Sequence, residues 1–161
     1  MSILKDYAPH VGPSYTPLAP GQAASTQLIT AGNQVTALTA TQIKALSVTP
    51  IAVTPVPGAG KAVVIDYIIV ELVLTSTVFA NGGVLQFQYH GQTTEVMSAQ
   101  IAAASVNATA GTYIFALEPA ETAGGSVVTS AVAVEITNET APFITGTGTA
   151  KIFCRYRIIT L

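Results

Sequence analysis

The chain has 161 residues, of which half are apolar and only 9% charged, with a net charge of −2 at pH 7. A typical globular chain carries about 25% charge. Six Lys and Arg spread along the sequence argue against an electrostatic nucleic-acid surface. Such a charge-poor surface predicts poor solubility alone and suits a protein largely covered in an assembly.

One domain with an arm is expected at this length. The single cysteine, Cys154, allows no intrachain disulfide and no cysteine metal cluster. Met1 to Asp6 lacks the apolar run of a secretory signal, so synthesis in a cytosol is expected.

Residues 1–36 differ from the rest. Pro9, Pro13, Pro17 and Pro20 recur with Gly12, Gly21 and Gly32. Proline fixes φ and removes a donor, which disfavours both helix and central strand. Scattered apolar residues distinguish this part from a flexible linker. An extended arm, 1–36, followed by a β domain, 37–161, is the expected division.

Leu38 to Leu46 predicts a short helix capped by Thr39 or Thr41, with Ile43 and Leu46 on one face. Ile51 to Val56 reads as an edge strand between prolines. Lys61 to Thr75 is the longest apolar run and is rich in β-branched residues, so it reads as one long strand. Asp66 and Glu71 interrupt it, and it is too short to span a membrane as a helix. Strict alternation gives two faces, Val63-Ile65-Tyr67-Ile69 and Val64-Asp66-Ile68-Val70, both mostly apolar. One should line the core and the other should need a further partner.

Gly83 to His90 alternates, with Leu85, Phe87 and Tyr89 expected inside and Gln86, Gln88 and His90 outside. A strand is expected near Thr94 to Met97, then a second helix over Ser98 to Val106, capped by Ser98. Thr112 to Leu117, Ser126 to Thr137 and Lys151 to Leu161 read as strands, with a turn over Phe143 to Gly148. Seven or eight strands with Gly, Pro and Asn turns predict an all-β, jelly-roll-like β-sandwich with one or two short helices.

The sequence offers no catalytic constellation. His10 and His90 lie in no metal-ligand spacing. There is no Gly-x-Ser-x-Gly elbow. Pro57 to Lys61 lacks the spacing of a phosphate loop. Cys154 falls in phase with apolar neighbours and reads as a small core residue. Asp66 and Glu71 are expected to pair with Arg155, Arg157 or Lys151, or to meet water at a bulge. No enzyme, cofactor or metal is expected, and no membrane or nucleic-acid partner.

Several stretches resemble small structural proteins of tailed phages: Leu38 to Leu46, Thr49-Pro50, Pro57 to Lys61, Tyr67-Ile68-Ile69, Phe79 to Gly83 with Leu85 to Tyr89, and Gly148 to Arg157. The resemblance spans roughly residues 38–161 and leaves out the arm. It implies a virion protein, most like a capsid cement or decoration protein on the capsid surface. Such a protein binds the major capsid protein, often as a homotrimer, and stabilises the expanded head. On that reading Tyr7, Val11, Tyr15 and Leu18 anchor the arm on coat protein. Ile68, Val70, Leu72 and Leu74 line the subunit interface. The alternatives are a tail, fibre-base or receptor-binding module, and a carbohydrate-binding jelly roll. Small, featureless loops and the absence of Trp weigh against both.

Overall fold

A computed structural model describes residues 29–92, 98, 100–119, 129–138 and 140–161. Its β content forms a two-layer, all-antiparallel sandwich. The larger sheet has the order β1-β7-β3-β5: β1 Thr30–Leu38, β7 Thr149–Thr160, β3 Lys61–Leu74 and β5 Gly111–Leu117. The smaller has the order β2-β6-β4: β2 Ile51–Ala52, β6 Val134–Asn138 and β4 Leu85–Tyr89.

The sheets meet in one apolar core. Ile68, Val70, Leu72 and Ile152 from the larger sheet pack toward Phe87 and Ile136 of the smaller. Tyr89 belongs to the same core, and its hydroxyl donates to the Val63 carbonyl at 2.6 Å, tying the two layers. A buried tyrosine needs such a partner, because an unpaired hydroxyl would lose its hydration without compensation. At one end of the sandwich the Phe79 and Phe143 rings lie 5.7 Å apart at 60°. Gly146, with φ of +103°, passes so close that a Cβ there would enter the Phe79 ring.

The first helix, α1 Ala40–Ala45, links β1 to β2 across the layers. It forms where Thr39 and Gln42 make a reciprocal capping box: Gln42 N–H donates to Thr39 Oγ1, and Thr39 N–H donates to Gln42 Oε1. Ile43 and Leu46 are buried beneath it. The second helix, α2 Ala103–Val106, is shorter than the expected Ser98 to Val106. Ile101 exchanges both backbone hydrogen bonds with Leu85, which holds the chain extended and delays the helix.

Other expectations change for local reasons. The boundary at 36/37 falls inside β1, so residues from Thr30 belong to the sheet. Gly32 does not break this edge strand, because the Tyr156 ring opposite covers it. β2 is shorter than Ile51 to Val56. β6 begins at Val134, after Ala131 takes a left-handed φ of 60° that interrupts extended backbone. The expected strand at Thr94 to Met97 and the arm anchors Tyr7, Val11, Tyr15 and Leu18 lie outside the described residues.

The largest correction concerns β3. Ile65 faces Tyr156 and Tyr67 faces Arg155 on β7, so Asp66 is an extra residue in a bulge. A bulge shifts the side-chain phase by one. Val63 and Ile65 point to the core before it, and Ile68, Val70, Leu72 and Leu74 after it. These last four are core residues, not an interface. Ile68→Asp should therefore unfold the chain rather than dissociate an assembly, and Ile68→Ala should cost about 2–5 kcal/mol in denaturant melts. Thr39→Ala should cost about 1 kcal/mol by the same measurement.

Candidate interaction surface

The bulge decides what the larger sheet shows to solvent. Cross-strand register places Val35, Phe153, Ile69 and Ala116 in one row over β1, β7, β3 and β5. The next row along is Ala37, Lys151, Glu71 and Ile114. On the other side of the apolar row lie Asn33, Arg155 and Tyr67. None of these side chains belongs to the core. Val35 is 58% exposed, Tyr67 41% and Ile114 71%.

An antiparallel sheet with one wet face ordinarily alternates apolar inside and polar outside. Here the outer face keeps an apolar band from edge to edge. Contiguous exposed apolar surface of this kind marks interaction sites. Shallow open depressions run beside Tyr67. One is bordered by Asp66, Glu118 and Pro119, another by Val35, Phe153 and Arg155.

Charge on this face is concentrated and balanced. Three of the chain's six basic residues, Lys151, Arg155 and Arg157, project from β7 on this side. Arg157 Nε donates to Asp66 Oδ1 at 2.7 Å, and Arg155 Nε lies 3.8 Å from Asp66 Oδ2. The two arginines thus straddle the bulge and hold the extra residue. Glu71 faces Lys151 in register, yet forms no ion pair within 4.0 Å among the described residues. The sequence pointed to these charged groups but not to their common face. The bulge that unites them leaves no mark except an acidic residue inside an apolar run.

The smaller sheet behaves differently. Gln86 and Gln88, expected to face solvent, are buried. They form a chain of side-chain hydrogen bonds: Gln100 Nε2 donates to Gln86 Oε1 at 2.6 Å, Gln86 Nε2 to Gln88 Oε1 at 3.2 Å, and Gln88 Nε2 to Glu135 Oε1 at 3.1 Å. The chain ends where Glu135 Oε2 meets His90 Nδ1 at 2.7 Å. Glu135 is buried while the His90 ring is largely exposed. This satisfies a buried carboxylate, which would otherwise be costly. A carboxylate and a histidine are two parts of a nucleophile-activating triad. Among the described residues no hydroxyl or thiol hydrogen-bonds to the ring. Nor do three or more His, Cys, Asp or Glu side chains gather as a metal site among them.

Cys154 is buried on the inner side of β7. Burial, with the Asp66 charge second, pushes its thiol up to about 12. No helix among the described residues is long and apolar enough to cross a membrane. No known family model matches the chain, and no curated protein is significantly similar to it.

The thiolate is the reactive form of cysteine. Folded protein at pH 8 should therefore leave Cys154 unmodified by iodoacetamide over hours, while unfolded protein labels fully. Mass spectrometry reads the difference, and rapid labelling of native protein would contradict this burial.

Proposed function

We propose that the protein is a structural subunit of a virion, a capsid cement or decoration protein that binds over the major capsid protein and stabilises the expanded head. The observation that carries this reading is the larger sheet's outer face. It exposes Val35, Tyr67 and Ile114 on a chain with only 9% charged residues. A protein made this way gains by being covered. The sequence resemblance to tailed-phage structural proteins supplies the kind of assembly, and it implies three copies per unit on the capsid surface.

Residues 1–28 complete the reading. Tyr7, Val11, Tyr15 and Leu18 serve as anchors on coat protein, spaced along a proline-rich segment. Ordering a segment costs about 1–2 kcal/mol per residue in backbone entropy. Prolines lower that cost by restricting the free chain, and repeated apolar anchors offset the remainder.

Co-sedimentation with expanded shells that lack the protein tests this. Saturable pelleting, with a raised shell disruption temperature, is the expected result. Absence of pelleting at tens of micromolar would overturn the cement reading and favour a tail or fibre-base position. Replacing Tyr7, Val11, Tyr15 and Leu18 together by Ser should weaken shell binding at least tenfold. The melting temperature of the free protein should stay the same.

A further inference from the structure

We infer that the outer face of the larger sheet is closed by a second copy of the same chain, packed sheet on sheet about a two-fold axis. That face is self-complementary under a two-fold rotation. Consider an axis parallel to the strands, running between β3 and β7 and lying above the sheet. Rotation about it places the β3 of one copy over the β7 of the other, row upon row. Each β3 residue then meets the residue that is already its cross-strand neighbour in its own sheet.

The rows near the axis suit this operation. Ile69 meets the second copy's Phe153, apolar on apolar. Glu71 meets the second copy's Lys151, acid on base. Tyr67 meets the second copy's Arg155, an aromatic face beside a guanidinium. The operation acts both ways, so each match occurs twice. Within one copy Glu71 and Lys151 face each other in register without closing to ion-pair distance, so both stay available. A partner of uniform charge finds no such match on a face that carries three basic residues beside Asp66 and Glu71.

Size is consistent with a stable contact. Strands β1, β7, β3 and β5 have 9, 12, 14 and 7 residues, and at about 4.8 Å between strands and about 3.3 Å per residue they give a footprint of about 670 Å². A standard interface buries about 800 Å² per partner. Sheets packed in this way lie about 10 Å apart, which apolar side chains from both faces fill. The row-by-row match across the two-fold axis assigns the face to another copy. The inference does not rest on the virion reading. It gives an even copy number, against the three that the resemblance implies.

The test uses the full chain, with analytical ultracentrifugation to read mass. Wild type is expected to be dimeric at tens of micromolar. Glu71→Lys alone sets an introduced lysine against Lys151 across the axis, and Lys151→Glu alone sets carboxylate against carboxylate. Like charges in contact oppose association, so each variant should raise the dissociation constant at least tenfold. An equimolar mixture of the two variants restores opposite charges across the axis and should recover the dimer. No contact within one chain predicts that recovery. Unchanged far-UV circular dichroism checks folding, and Ile69→Lys gives an independent break in the apolar row.

A wild-type trimer, or variants whose mass stays dimeric, would overturn the inference. So would a mixture that fails to re-associate. A monomeric wild type would also overturn it. If a cysteine at position 69 is then shielded from maleimide in that monomer, the occupant is the chain's own N-terminal segment. Capsid co-sedimentation of the Glu71→Lys variant separates this result from the cement reading, since the two can fail independently.

Discussion

The extra residue at Asp66 is the constraint on which the rest of the structure depends. β3 is 14 residues long and pairs with β7 along nearly its whole length. Without a bulge, strict alternation would bring Tyr67, Ile69 and Glu71 onto the core side with Val63 and Ile65. A carboxylate would then sit inside the apolar layer, at a cost of several kcal/mol even after relaxation. The bulge resets the phase, so both halves of the strand send Val, Ile and Leu inward. Arg157 and Arg155 bracket Asp66 from β7 and stabilise the one position that has no cross-strand partner. A partly exposed pair of this kind contributes about 1 kcal/mol or less. Its importance lies in fixing register rather than in adding stability.

Two consequences follow from that reset. The core becomes a single apolar layer between two sheets, with Tyr89 reaching across to the Val63 carbonyl. Glu71 moves outward to stand opposite Lys151, beside the apolar row of Val35, Phe153, Ile69 and Ala116. The outer face thereby carries an apolar row across all four strands, with charged residues on the central strands in the rows on either side.

Much of this was legible from the residues alone. Strand existence is written in β-branched runs, and the capping box at Thr39 is a local signal read without tertiary context. Asp66 and its arginines were legible as charges needing partners. A bulge at Asp66 or Glu71 is one reading of those charges, but which residue is extra, and hence the phase change, is not legible, because a bulge costs one residue and has no composition of its own. Strict alternation therefore puts Ile68, Val70, Leu72 and Leu74 on a second face open to a partner, whereas they form the core. Gln86 and Gln88 were hidden for a related reason. Alternation reports polarity, and a polar side chain bonded to Gln100 and Glu135 can be buried as fully as an apolar one. Local propensity alone extends α2 back to Ser98 and a strand back past Ala131, where the hydrogen bonds of Ile101 and the left-handed Ala131 intervene; Ser126 to Val128 of that expected strand lie outside the described residues.

The most direct measurement is thiol labelling with single cysteines at positions 67, 68 and 114 in a Cys154→Ser background. Positions 67 and 114 should label quickly in the dispersed chain and slowly when it is assembled. Position 68 should stay silent in both states. Equal labelling of 67 and 114 in the dispersed and assembled states would contradict the claim that this face is covered. Rapid labelling at 68 would contradict the bulge itself.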